Sequence, residues 1–194
     1  MAVAYFKFIT KCAYTDLKNL MDLEQHFTNS NGQRLQALLT KQIVFLDGAM
    51  GTMIQGYHLR EEDFRGSFYH KHTHALQGNN DLLSITKSEV IKDIHLNFLR
   101  AGANIIETNT FNANRISQAD YQLESEVYKI NLHAAQIARD AINSFQLENP
   151  SHPAFVAGAI GPTNRTTSMS PDVNNPAYRA VNFDEVVNAY KEQV

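Results

Sequence analysis

The sequence has little of what builds disulfide scaffolds, nucleic-acid surfaces or membrane spans. Its 194 residues include one cysteine, Cys12, which can form neither an internal disulfide nor a thiolate-rich metal site. A net charge of -3 supplies no positive field for nucleic acid or an anionic membrane. No apolar run approaches the roughly 18 residues of a membrane span, and no targeting segment is visible. These absences favour a cytoplasmic protein with no nucleic-acid and no membrane partner.

Several common catalytic signatures are also missing. No Cys-x-x-Cys pair, Ser-His-Asp order or paired-carboxylate motif supports redox or hydrolytic chemistry. The segment from Asp47 to Thr52 has glycines after an apolar run, but it lacks the third glycine of a dinucleotide fingerprint and the Gly-Lys-Ser/Thr of a P-loop. Either a structural turn or a loop that binds a carboxylate or an amine is compatible with it.

From residue 41 onward, short apolar runs alternate with amphipathic segments, which predicts an α/β fold with parallel strands joined by helices. Residues 1–40 lack this pattern and are expected to form a leader and a short helix. An open doubly wound sheet and a closed (β/α)8 barrel both remain possible. The predicted strands are 43–46, 81–85, 104–107 and 154–160, and the predicted helices run from Ser88 to a stop at Gly102, over 117–145, and from Phe183 onward.

Polar clusters follow three of these strands. Asp47 and Gly48 follow the first, residues 107–112 the third, and residues 161–164 the fourth. Both architectures place ligand sites at the carboxyl ends of strands. The cluster at 107–112 has no packing reason to end a core strand, so neighbouring loops or a polar ligand must satisfy it. We favour the ligand, because concave sites collect a few convergent polar groups.

The histidines give a weaker signal. His70, His72 and His74 alternate, so an extended backbone would place their imidazoles on one face as a possible zinc site. No nearby carboxylate would orient the rings, which disfavours that role. His95 and His133 fall on predicted helices and are expected to be ordinary, partly exposed residues.

Five segments carry a resemblance to a known family: LDGAMGTMI (46–54), EEDFRG (61–66), GNNDLL (78–83), IETNTFNANRISQADY (106–121) and GAIGPTNR (158–165), continued by MSPDVN (169–174). Through them, the chain from about residue 42 resembles the amino-terminal, homocysteine-binding module of the cobalamin-dependent methionine synthases. The resemblance implies a TIM barrel. Residues 41–194 would be its amino-terminal half, with about the first four β/α units, so the chain is expected to be a truncated form.

The resemblance also implies an activity. A methyl group would pass from methylcobalamin, recharged by methyltetrahydrofolate on other modules, to the zinc-activated thiol of homocysteine, and methionine would form. The residues that match the family's amino acid pocket are Asp47 for the ammonium group, Gly48, Ala49 and Gly51 for the carboxylate, and Glu107, Asn109 and Thr110 along the wall.

The metal chemistry of that family has no counterpart in the matched part of the chain. The family's three cysteine ligands for zinc lie on later strands, and Cys12 lies in the unmatched leader. The chain is therefore expected to contain substrate-binding residues but no catalytic and no metal-binding ones. A stand-alone module that binds a small amino acid without catalysis remains the alternative.

Overall fold

The computed structural model describes residues 30–194, so the predicted leader, with Cys12, lies mostly outside the described residues. Short 3-10 turns at Asn80–Leu82, Ala119–Tyr121 and Glu124–Glu126 connect the main elements. The helices are α1 (Ser30–Leu39), α2 (Met50–Gln55), α3 (Glu61–Arg65), α4 (Leu83–Thr86), α5 (Ser88–Arg100), α6 (Arg115–Gln118), α7 (Val127–Glu148) and α8 (Phe183–Gln193), and the strands are β1 (Ile105–Glu107) and β2 (Phe155–Ala157).

The sheet is small and parallel, with β1 at its centre. Ile105 of β1 lies opposite Phe155 of β2 in a parallel register. On the other side of β1, Leu46 forms a single parallel bridge with Ile105, and the N–H of Asp47 donates to the Ile105 carbonyl at 2.9 Å. The carboxyl ends of three chain segments therefore meet at one edge, as parallel pairing requires.

The predicted buried strand at 43–46 is wrong. Only Leu46 pairs as a bridge, while Ile43 is 77% exposed and Phe45 61% exposed. The segment has a neighbour on one side only within residues 30–194. Val44 packs against Leu35, Ile105 and Phe155, but a segment that is paired on one side only buries little of its remaining apolar surface.

The predicted strand at 81–85 is also wrong, because this run is helical. It forms the 3-10 turn Asn80–Leu82 and then α4, and Leu82, Leu83 and Ile85 are buried. A short apolar run has no period that distinguishes a buried strand from a buried helical turn. Four β/α units are therefore not found, since residues 30–194 contain two strands and one bridge.

The predicted helix at 117–145 is divided. Gln122 adopts a left-handed conformation with φ 55° between α6 and α7 and ends the first helical stretch. By contrast, α5 begins at Ser88 as expected, and Gly102 follows its end with φ 104°. The helix predicted from Phe183 is confirmed as α8.

Helices cover both faces of the sheet. Ile106 packs with Leu99 of α5 and Ile142 of α7. On the opposite face, Leu35 of α1 packs against Ile105 and Phe155. The short helix expected near the end of the leader is thus part of the packed structure. Within residues 30–194, no helix combines the length and apolar character needed to cross a membrane.

Candidate functional site

A cavity of about 340 Å³ lies at the edge where the parallel segments end. The loops after Leu46, β1 and β2 form it together with the 3-10 turn that precedes α4. All seven residues predicted from the sequence line it: Asp47, Gly48, Ala49, Gly51, Glu107, Asn109 and Thr110. The remaining lining residues are Met50, Asn80, Asp81, Thr108, Phe111, Asn112 and Ala159.

Asp47 is a buried carboxylate at the base of this cavity. Its side chain is 4% exposed, and its Oδ1 accepts the backbone N–H of Glu107 at 2.9 Å. Burial, together with the nearby charge of Glu107, raises the pKa of Asp47 to about 7. A cation placed in the cavity would therefore favour the ionised carboxylate.

Glu107 supplies the second carboxylate from the last position of β1. Its side chain is half-buried, and burial raises its pKa. Within residues 30–194 its carboxylate accepts no hydrogen bond and forms no ion pair. Because a half-buried carboxylate lacks a protein partner in this region, it is available to a cationic ligand in the cavity.

Neighbouring loops satisfy most of the other polar side chains of the 107–112 cluster. Thr110 Oγ1 donates to the Ala159 carbonyl at 2.8 Å, and Thr108 Oγ1 accepts the Ala159 N–H at 3.0 Å. Asn109 Nδ2 donates to the Asn80 carbonyl at 2.7 Å. The sequence analysis favoured a ligand as the partner of these side chains, but neighbouring loops satisfy them and fix the shape of the cavity wall.

Asp81 is a third carboxylate of the cavity that the sequence prediction missed. It is 4% exposed, and its Oδ1 accepts the N–H of Asn112 at 3.0 Å. Burial raises its pKa to about 6. The Asn-Asn-Asp run before two leucines could have indicated a polar site. The strand prediction for 81–85 instead placed Asp81 at the start of a strand.

His95 is fully buried, so the prediction of a partly exposed histidine is wrong. It lies four residues after Ile91 and four before Leu99, on the apolar face of α5, and this spacing was the available signal. Its Nδ1 lies 4.0 Å from Asp47 Oδ2, and neither ring nitrogen has a hydrogen-bond partner among residues 30–194. Burial lowers the pKa of His95 to about 4, so the ring is neutral at pH 7.

Comparison with known proteins assigns the family. Residues 44–194 match the pattern of the homocysteine S-methyltransferases. The chain belongs to the homocysteine S-methyltransferase family. The resemblance seen in the sequence is thereby confirmed at the level of the family, and the matched range contains every residue of the predicted pocket.

Solved structures of a homocysteine methyltransferase share this fold. The metallated form of MmuM from Escherichia coli is 28% identical, with a TM-score of 0.52 over 66% of this chain and 41% of that one. The oxidized form is 28% identical, with a TM-score of 0.54 over 69% of this chain and 41% of that one. The chain therefore spans about two fifths of the length of these structures.

The described part of this family member does not fit a zinc site. Within residues 30–194, no group of three or more His, Cys, Asp or Glu side chains could hold a metal. His70 Nδ1 bonds to the Ser67 carbonyl at 2.9 Å, and His72 Nε2 bonds to the Tyr121 carbonyl at 2.8 Å. Two of the three alternating histidines are thus engaged by separate backbone groups.

Proposed function

We propose that this chain provides the amino acid pocket of a homocysteine S-methyltransferase. The observation that carries the proposal is that Asp47 and Glu107 line one cavity. The Asp47 carboxylate is held by a backbone N–H, and the Glu107 carboxylate has no partner in residues 30–194. Two carboxylates in a partly desolvated cavity favour a cationic group. The ammonium group of homocysteine meets that requirement.

The carboxylate of the substrate would face the loop after Leu46. Gly48 and Ala49 line the cavity, and their backbone N–H groups donate to no acceptor within the described residues. A Cβ added at Gly48 would meet no atom within 4 Å, so the loop leaves open space at this point. Free N–H groups beside open space suit a carboxylate. Gly51 then lies in the first turn of α2.

We infer further that the methyl donor is methylcobalamin, recharged by methyltetrahydrofolate on other modules, and that zinc activates the substrate thiol. The support is the resemblance of segments 78–83 and 158–165 to the methionine synthases rather than to betaine-dependent enzymes. Residues 30–194 offer no ligand set for zinc, so no reaction step is assigned to them. Their proposed role is to bind and orient the amino acid end of homocysteine, with residues 41–194 as the amino-terminal half of the barrel.

A second candidate function is binding of a small amino acid without catalysis. The specific observation in its favour is a formed cavity with two carboxylates in a described region, residues 30–194, that lacks a metal site. Methyl transfer to homocysteine by the purified chain, supplied with zinc and methylcobalamin, would exclude this candidate.

Calorimetric titration of the chain with homocysteine tests the pocket. Glu107→Gln keeps the size of the side chain and removes its charge, so we expect the affinity to fall by about tenfold or more, as for a lost charged hydrogen bond. Asp140→Asn removes a carboxylate from the exposed face of α7 and serves as the matched control. Equal affinities for Glu107→Gln and the unaltered chain would reject the assignment of Glu107.

A further inference from the structure

His95 is a buried polar side chain that the proposed function does not use. Its ring is fully buried on α5, and both of its nitrogens lack a hydrogen-bond partner in the part of the chain that the structure describes. Buried polar groups in folded proteins are almost always paired. An apolar side chain would fill this position equally well. The presence of an imidazole therefore needs an explanation other than packing.

The carboxylate of Asp47 lies close to the ring. His95 Nδ1 lies 4.0 Å from Asp47 Oδ2, while the N–H of Glu107 already occupies Oδ1. The two oxygens of Asp47 thus face different partners, a backbone donor and a ring nitrogen. A shift of about 1 Å by either side chain would give a charge-assisted hydrogen bond of normal length.

Among residues 30–194, the helices that pack against α5 present no buried charge to the ring. Helix α5 packs against α7, α4, α2 and β1. The sequences of α2 and α4 contain no ionisable residue, and the buried positions of α7 are all apolar. The strand β1 contributes Glu107, which faces Asp47, and Asp81 lines the same cavity. Burial keeps the ring neutral, so it retains one N–H to donate.

We propose that His95 is a positioning residue for the ammonium site: its Nδ1–H donates to Asp47 Oδ2 and holds the Asp47 carboxylate ionised and oriented toward the cavity. The role rests on the proposed function, in which Asp47 receives the ammonium group of homocysteine. The contact between the two side chains can be tested without any ligand.

Nitrogen-15 NMR of the histidine side chains in the ligand-free chain tests that contact. We expect His95 to be neutral at pH 7 with its proton on Nδ1. In Asp47→Asn, the amide oxygen is expected to keep the bond from the Glu107 N–H, so the amide N–H₂ faces the ring. Nδ1 must then accept a hydrogen bond, and the His95 proton should move to Nε2. A proton on Nε2 in the unaltered chain, or a tautomer insensitive to Asp47→Asn, would overturn the proposal.

The pH dependence of homocysteine affinity tests the role. His95→Asn retains an N–H donor near the Nδ1 position, whereas His95→Leu retains only bulk. If the donor lowers the pKa of Asp47 by about one unit, His95→Leu should weaken binding about fivefold at pH 6 and little at pH 8.5. His95→Asn should restore most of the affinity at pH 6. Equal losses at both pH values for both variants would show a packing role alone and refute positioning.

The two measurements separate the two proposals. If the unaltered chain does not bind homocysteine, the proposed function fails, while the tautomer still reports whether His95 donates to Asp47. If homocysteine binds but the tautomer is insensitive to Asp47→Asn, only the positioning role fails. Thermal unfolding shows which variants fold, and if His95→Leu does not, His95→Asn and the tautomer measurement decide.

Discussion

The side chain of Asp47 takes the place of a backbone carbonyl beside β1, because its Oδ1 accepts the N–H of Glu107 at 2.9 Å. This bond continues the pairing that the backbone N–H of Asp47 begins with the carbonyl of Ile105. The acidic residue that is expected to bind the ligand thus also completes the sheet edge. Binding and stability should therefore respond differently to different substitutions at residue 47.

Comparison of Asp47→Asn with Asp47→Ala separates these two contributions. Asparagine retains an oxygen for the Glu107 N–H, but alanine leaves that donor unpaired, so we expect Asp47→Ala to lose about 1–3 kcal/mol of unfolding free energy more than Asp47→Asn. Both variants lack the charge and should bind homocysteine at least about tenfold more weakly. Urea unfolding and calorimetric titration measure the two effects. Equal stabilities would show that the Glu107 bond contributes nothing.

The stability of the chain should depend on pH through Asp47. Burial raises its pKa from 3.8 to about 7, so the folded state holds the proton more tightly than the unfolded state. The stability from this group is fully present below pH 3.8 and is lost as the pH rises toward 7. Asp47→Asn removes this dependence, so its stability relative to the unaltered chain should increase by on the order of 1–3 kcal/mol between pH 4 and pH 8.

Urea unfolding of both chains at the two pH values provides the measurement. Burial also raises the pKa of Asp81, so its effect on stability has the same direction as that of Asp47. Burial lowers the pKa of His95, so the stability from His95 is lost as the pH falls from 6.5 toward 4. The chain and the variant share these groups, so their contributions largely cancel in the difference. For Asp140→Asn, the difference in unfolding free energy from the unaltered chain should be the same at both pH values. The same result for Asp47→Asn would contradict the raised pKa of Asp47.

Gly161 is expected to tolerate no side chain. A Cβ at this position would collide with the carbonyl oxygen of Phe111 and would lie 2.8 Å from its Cγ. We expect Gly161→Ala to lower the unfolding free energy by about 1–3 kcal/mol, as overpacking does. Gly48→Ala is the matched control in another loop of the cavity, since no atom lies within 4 Å of its Cβ position. Thermal unfolding of both variants should show a lower midpoint for Gly161→Ala alone.

Helix α1 should contribute measurably to the stability of the sheet. Leu35 is 4% exposed and packs on Ile105 and Phe155, whereas Leu39 on the same helix is 47% exposed. We expect Leu35→Ala to cost about 2–4 kcal/mol and Leu39→Ala less than about 1 kcal/mol. Chemical denaturation measures both. Similar small losses would mean that α1 does not stabilise the sheet.

Much of the cavity could be predicted from the order of residues along the chain. Asp47 and Glu107 each follow an apolar run, and parallel pairing brings such positions to one edge. The helix from Ser88 to Arg100 was also readable, because its apolar spacing and Gly102 agree. The structure of the run at 81–85 could not be predicted in this way, because five residues are too few to distinguish the period of a helix from that of a strand.

The sequence by itself determined the family, the acidic and glycine-containing loops of the pocket, and the absence of cysteine from residue 13 onward. Only the tertiary structure decided which polar groups are already paired. Thr108 and Thr110 form hydrogen bonds with the loop after β2. His95 lies 4.0 Å from Asp47 and has no hydrogen bond within residues 30–194. These relationships join residues about 50 positions apart, and whether a polar group has a partner depends on distances and burial that a linear pattern does not contain.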